Sequence, residues 1–238
     1  MSTDVELAQP FRWVDAGIAI DLDGGSALFT TCEGGDFALA NDPRVWPQTA
    51  AAAHVGVPVR LWAQDHQVHE HHVHVIGAEE AVDPFATDAD GQATARLGVP
   101  VAVRSADCLA IALIAPEAVA VVHAGWRGLA AGVIESGVTA LHALGATRIS
   151  AAIGPGAGVC CYETGDEVHA AFAHLGPGMR IGPRADLKAV ARALLGQWAV
   201  AEIHDCDQCT ICAPAGRFFS YRAQGSSAGR GVGVAWRT

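Results

Sequence analysis

No apolar stretch of this 238-residue sequence is long and unbroken enough to span a bilayer. The longest candidate, Val99 to Val122, is interrupted by Arg104, Asp107, Pro116 and Glu117 and reads as buried strands. The start, Met1 to Trp13, lacks a basic segment followed by an apolar core, so a secretory leader is not expected and a cytoplasmic location is. Basic residues are scarce: 15 Lys and Arg against 25 Asp and Glu leave a net charge of −10. That balance argues against nucleic acid as the main partner, because phosphate contacts need a basic surface. Repeats, heptads and low-complexity linkers are also missing, so nothing separates two domains. Seven cysteines are an odd number for a disulfide scaffold, and in a reducing compartment they direct attention to metal or thiol chemistry.

What is present is ample core material, 51% of residues being apolar. Residues 1–16 read as a loosely ordered start and 17–238 as one domain. Ser26–Thr31 reads as a strand followed by the turn Glu33–Gly35, and Asp42 with Pro43 as the cap and first position of a helix running towards His54. Val59–Gln64 and His71–Ile76 read as strands, and Asp83–Gly91 as a polar turn. Val99–Ser105, Leu109–Ala115 and Val119–His123 are short runs rich in Val, Ile and Ala that suit buried strands. A helix is expected over Leu129–Leu144, ended by Gly145, then a strand over Arg148–Ile153. Helices around Gly165–His174 and Ala185–Val200 and short strands near Phe218–Tyr221 and Gly231–Trp236 complete the pattern. Strands and helices are interleaved without strict alternation, which favours an α+β fold with mixed sheets over a doubly wound parallel one.

Three residues carry the chemistry this pattern allows. His69 lies in Gln67–Val68–His69, Cys108 joins two apolar runs, and His123 ends a third. Strand ends let a rigid scaffold aim side chains into one cleft. Two imidazoles and a thiolate suit zinc, and three protein ligands leave a fourth position open, the pattern of a catalytic site. Spacing alone permits the plainer reading too, a core cysteine and two hydrogen-bonded histidines, since no close ligand pair such as His-x-x-x-His occurs. Asp107, beside the cysteine, suits proton transfer, ligand orientation or simple turn stabilisation. Arg127 at a helix start, and Tyr221, Arg222 and Arg230 near the end, suit an anion and a stacked base, or else a surface salt bridge and an ordinary edge strand. Asp65–His74 holds five histidines, so the first ligand is ambiguous locally. Cys206-x-x-Cys209-x-x-Cys212 invites a second metal but lacks a clear fourth ligand, with His204 or Cys160 the candidates. Cys160 and Cys161 read most simply as buried thiols. Asp88–Gly91 resembles a calcium loop without its downstream Glu and is set aside.

Four motifs occur in order: Ser-Ala-Asp-Cys at 105–108, His-Ala-Gly-Trp-Arg-Gly at 123–128, Gly-Pro-Gly-Ala-Gly-Val-Cys-Cys-Tyr-Glu at 154–163 and Phe-Phe-Ser-Tyr-Arg at 218–222. Together they resemble the laccase-domain or YfiH family, also called the multicopper polyphenol oxidase family. The resemblance implies an α/β/β/α layered fold similar to a deamidating toxin domain, and one zinc bound by His69, Cys108 and His123. It selects His69 because Gln67–Val68 precedes it, although Glu70 stands where the family usually has Gly. It implies a small-molecule substrate, a purine nucleoside with phosphate, and either phosphorolysis or adenosine deamination. A peptidoglycan-editing amidase with Cys108 as nucleophile and His123 as base is the alternative from the same family, and a metal-containing binder without turnover is another. Copper is the lesser expectation, because a multicopper centre needs more paired histidines than these. The family commonly has cysteines near Cys209 without a cluster. Two departures bear on phosphate: Cys32 stands where Phe-Thr-Thr-Arg ends, and Pro47–Gln48 replaces an Asn-Arg pair. Neither replacement offers a bidentate donor.

Overall fold

Residues 6–38, 49–82 and 85–238 are described by a computed structural model. The strands in chain order are β1 (Arg12–Val14), β2 (Gly17–Leu22), β3 (Gly25–Thr30), β4 (Val73–Ile76), β5 (Gly91–Thr94), β6 (Val101–Ser105), β7 (Leu109–Ile114), β8 (Val119–Ala124), β9 (Ser150–Ile153), β10 (Arg180–Ile181), β11 (Arg184–Ala185), β12 (Glu202–Asp205) and β13 (Gly231–Arg237). The α-helices are α1 (Ala50–Val55), α2 (Trp126–Ala131), α3 (Val133–Ala143), α4 (Asp166–Phe172), α5 (Leu187–Gln197) and α6 (Tyr221–Gln224).

One sheet has the order β1-β2-β3-β13-β6 and is antiparallel throughout. The other has the order β12-β9-β7-β8-β5-β4, with parallel pairs at β12–β9 and β4–β5. β10 and β11 form a small separate ribbon. Period-two alternation divides the apolar side chains among three layers of core. In β7, Leu109, Ile111 and Leu113 pack under α3 and α5, while Ala110, Ala112 and Ile114 face the other sheet. In β3, Ala27 and Phe29 enter the space between the sheets, and Leu28 packs with Ala51, Ala52 and Val55 of α1. The result is the expected α+β arrangement, layered α/β/β/α. Small residues bring the sheets close: a Cβ on Gly233 would sit 2.4 Å from that of Ala110, and one on Gly154 would sit 2.3 Å from the Phe29 ring.

Several elements differ from the sequence reading. The described part of the start is tied down, with Phe11 buried and β1 paired to β2. Over 59–64 there is no strand: Val59–Leu61 is a 3-10 turn, fixed by the buried Trp62, whose indole N–H donates to the Val57 carbonyl at 2.9 Å. The helix expected from Leu129 begins at Trp126 and is split in two at Gly132, whose φ of +95° no regular helix contains. Phe218–Tyr221 is not a strand; Ser220 caps α6 by accepting from the Ala223 N–H at 3.2 Å. Gly91 opens β5 rather than closing a turn, and the strand before it starts only at Val73. Asp42, Pro43, Pro47 and Gln48 lie outside the described residues; α1 is capped by Thr49.

Candidate active site

β6 ends in one sheet and β7 begins in the other, so Ala106–Cys108 must cross between them. The Ser105 hydroxyl donates to the Cys108 carbonyl and closes this turn. Asp107 takes up the corner with φ +93°, a conformation sparsely allowed to a residue with a side chain. Cys108 thereby emerges beside the end of β8, where His123 stands opposite Ala110. Val119, Val121 and His123 share one face of β8, and the first two fill the space between the sheets. At the strand's end the same direction leads into a cavity.

His69 arrives from the segment before β4, with φ +63°. The Gln67 side chain pins that segment to β6, donating to the Arg104 carbonyl and accepting from its N–H, both at 2.8 Å. The fully buried Asp90 does the rest. Its carboxylate accepts from the N–H groups of Val68 (3.0 Å), His69 (3.0 Å) and Glu70 (2.8 Å), and from His123 Nδ1 at 2.8 Å. One carboxylate therefore orients both histidines, and a donating Nδ1–H leaves the other His123 nitrogen free as a ligand.

The donor atoms of His69, Cys108 and His123 all lie within 4.8 Å of one another. The two imidazole rings meet edge-on at 4.9 Å and 78°. Gly125 makes room, since a Cβ there would come within 2.9 Å of the Cys108 sulfur. Burial alone would raise the Cys108 thiol, but the His123 charge and hydrogen bonds from His123 and His69 outweigh it and bring it down to about 6. Burial opposes a charged His123 in turn, but the Cys108 thiolate and Asp90 raise it to about 9. Asp90 is likewise held below the usual carboxylate range: burial works against the charge, and the His123 and backbone hydrogen bonds prevail. Cys108 is thus favoured as the thiolate and His123 is oriented by Asp90, a ligand set once an incoming ion displaces the remaining His123 ring proton. Two nitrogens, one sulfur and a carboxylate behind the histidine fit a borderline-soft divalent ion.

The trio opens onto a cavity of about 530 Å³, lined also by Gln67, Arg104, Tyr162, Tyr221, Arg222 and Arg230. Arg104 is buried, its guanidinium carbon lies 4.7 Å from the centre of the Phe85 ring, and its Nε has no hydrogen-bond partner among the described residues. Burial and then the nearby Arg230 charge lower it to about 10. Arg230 is fixed by donating to the carbonyls of Ala228 (2.7 Å) and Gly229 (2.9 Å). Arg222 lies over the Tyr162 ring at 4.9 Å and donates to the Glu163 carbonyl at 3.0 Å. Two neighbouring guanidiniums, one with a buried unused donor, make this wall a place for an anion.

Both Asp107 oxygens are committed, one to the Thr210 hydroxyl (2.5 Å) and one to the Arg222 N–H (2.7 Å). Its geometry is that of a positioning residue rather than a free base. Arg127 is exposed, stacks 4.4 Å over Trp126 and is not among the cavity's lining residues. The cavity therefore brings together His69, Asp107, Cys108, His123, Tyr221, Arg222 and Arg230, but not Arg127 or the cysteines from Cys160 to Cys212. Cys32 does not line the cavity either; its N–H donates to the Arg217 carbonyl. Of the other histidines, His66 pairs with Asp88, and His74 with Asp65 and Glu80. Asp90, Arg104 and Tyr162 went unremarked as site residues. Arg104 signalled itself as a charge inside an apolar run, and Asp90 as an acid directly before a buried strand.

Residues 45–238 match the family described as multi-copper polyphenol oxidoreductase laccase. The chain is 35% identical over 195 residues to the purine nucleoside phosphorylase ORF3 of Streptomyces griseus, covering 78% of each protein. It is 36% identical over 156 residues to the adenosine deaminase RL5 of an unknown prokaryote, covering 59% of each. A solved structure of a Neisseria meningitidis protein of the DUF152 family superposes with a TM-score of 0.72 at 30% identity, over 90% of this chain and 94% of that one.

Proposed function

The chain belongs to the multi-copper polyphenol oxidoreductase laccase family, and from that premise we propose that it is a zinc-dependent purine nucleoside phosphorylase. The carrying observation is the pairing of His69, Cys108 and His123 with a guanidinium wall across one cavity. Phosphorolysis needs an anionic nucleophile held against the sugar. A phosphate oxygen attacks C1′, the bond from C1′ to the purine nitrogen breaks, and the purine leaves with the electron pair and takes up a proton. Arg104 and Arg230 are suited to hold the phosphate, since Arg104 Nε is a buried donor with no partner among the described residues. Tyr162, Tyr221 and Arg222 offer stacking surface for the base. When bound, zinc supplies Lewis acidity at the His69–Cys108–His123 end of the cavity. Cys32 itself does not line the cavity and Gln48 lies outside the described residues, so the phosphate role is assigned to the arginines that do line it.

Adenosine deamination is the second reading. It uses the same ligand trio, requires no phosphate and is the activity in the name of one relative. A thiolate–imidazolium pair at Cys108 and His123 also suits nucleophilic attack on an amide, but a cysteine engaged by a metal is a poor free nucleophile. A multicopper centre is disfavoured, because the trio offers only two histidines.

The test is chromatographic product analysis of zinc-loaded protein given adenosine or inosine, with and without phosphate. Free base formed only with phosphate is the expected result. Inosine from adenosine without phosphate would shift the assignment to deamination. No product from either nucleoside, with stoichiometric metal confirmed, would remove nucleosides as substrates and leave the amidase or a non-catalytic binder.

A further inference from the structure

A second group of ligand atoms lies outside the cavity. The parallel neighbours β9 and β12 end side by side at Ile153 and Asp205. The loops that follow them, 154–162 and 206–212, are zipped together: the Gly156 N–H donates to the Gln208 carbonyl at 3.2 Å, and the Thr210 N–H to the Gly156 carbonyl at 3.0 Å. Each loop carries two cysteines to the same point. The sulfurs of Cys160, Cys161, Cys209 and Cys212 all lie within 4.8 Å of one another. Those of Cys160 and Cys212 are 3.5 Å apart and unbonded. A tetrahedral zinc with Zn–S distances of about 2.3 Å places its sulfurs about 3.8 Å apart. Cys206, which the spacing had included, is buried in the core between the sheets, and Cys160 is exposed rather than buried.

The surroundings are built for thiolates. The Gly158 N–H donates to the Cys209 sulfur at 3.3 Å, and the backbone N–H groups of Ile211 and Cys212 also face it. A Cys-x-x-Cys turn folding its own amides onto the first sulfur orients and stabilises a metal-bound thiolate. Gly158 fits closely here: a Cβ would lie 3.2 Å from the Cys160 sulfur and 3.1 Å from the Cys209 Cβ, so a larger residue would press on the cysteines. Closed sets of four cysteines are structural zinc sites.

We propose that Cys160, Cys161, Cys209 and Cys212 bind a second zinc ion that clamps the two loops together. The clamp bears on the cavity without touching substrate. Tyr162 directly follows Cys161, and Thr210, which bonds Asp107, lies between Cys209 and Cys212. This inference stands independently of the nucleoside reading.

The experiment is metal counting by elemental analysis on reduced protein, with cobalt substitution as the second readout. Wild type is expected to hold two zinc ions per chain, Cys209→Ser one and Cys108→Ala one. Cobalt-loaded Cys108→Ala is expected to give the intense sulfur-to-metal charge-transfer band of an all-thiolate tetrahedron. One ion in wild type that is lost in Cys108→Ala would overturn the second site and leave the first intact. One ion that survives Cys108→Ala and is lost in Cys209→Ser would overturn the first and support the second. If Cys209→Ser does not fold, the cobalt spectrum of wild type decides, because a site of two nitrogens and one sulfur cannot give the four-thiolate band. A mass lower by two hydrogens in unreduced protein, with no metal at these cysteines, would make them a disulfide pair and also overturn the proposal.

Discussion

Asp90 is the residue on which the trio depends, because it holds three successive N–H groups around His69 and the Nδ1 of His123 with one carboxylate. Replacing an outer partner of this kind lowers metal affinity by roughly 10–100-fold. Asp90→Asn is expected to show a loss of that size at the His69–Cys108–His123 site in a zinc competition titration. Unchanged affinity would mean that the histidines are positioned by the fold alone. Under the proposed phosphorolysis, Arg104 holds the phosphate instead. Hydrogen bonds to charged groups contribute about 1.5–3 kcal/mol, or roughly 10–100-fold. Arg104→Gln is therefore expected to raise the KM for phosphate by that factor while metal content stays constant, as initial rates at varied phosphate would show. His69, Cys108 and His123 were legible because short motifs carry them. Asp90 and Arg104 were not, because their partners are distant in sequence: Asp90 meets residues 20 to 33 positions away, and Arg104 reads only as an interruption of an apolar run.

Elements aim these residues, and the junction of β8 with α2 packs closely against one of them. Gly125 has an ordinary backbone conformation, so its need for glycine is spatial: its missing Cβ is where the Cys108 sulfur packs. Gly125→Ala is expected to push that sulfur away, lowering zinc content at the trio while circular dichroism stays unchanged. Full zinc content in this variant would show that the β7 start can yield. The buried strands β6, β7 and β8 were legible from their short runs rich in Val, Ile, Leu and Ala. β12 was missed because Glu202–Asp205 has a single apolar residue, Ile203, in its four positions beside its parallel neighbour β9. The stretch 218–221 reads as a strand from its aromatics, but the Ser220 cap and the turn at Gly225 make a short helix instead. Arg127 was assigned to the site on its place at a helix start; stacking on Trp126 carries it to the surface.

Across the whole molecule, the cavity lies where the chain passes from one sheet to the other, and Asp107 stitches that crossing to segments far along the sequence. Its bonds reach Thr210 and Arg222, 103 and 115 residues away. The family resemblance implied the layers, and sequence patterning the mixed α+β class that fills them. Neither could show that the corner residue of one connection also anchors the C-terminal wall. Removing the carboxylate leaves the Thr210 hydroxyl and the Arg222 N–H without their acceptor. The loss of two hydrogen bonds to a charged group costs about 1.5–3 kcal/mol each, and a chain of this size loses about 2–4 °C of Tm per kcal/mol. Asp107→Ala is thus expected to unfold about 6–24 °C earlier and to raise the nucleoside KM, because the wall bearing Arg222 and Tyr221 loosens. The trio does not depend on either bond, so metal loaded there should stay in place. Were Asp107 instead the proton acceptor, kcat would collapse in Asp107→Ala and Asp107→Asn alike, with KM little changed. Asp107→Asn keeps one acceptor oxygen and the shape of the corner, so under the positioning role it should recover much of the wild-type KM. Steady-state kinetics on the two variants, alongside their melting curves, therefore separates a wall held in register from a proton carried by the same carboxylate.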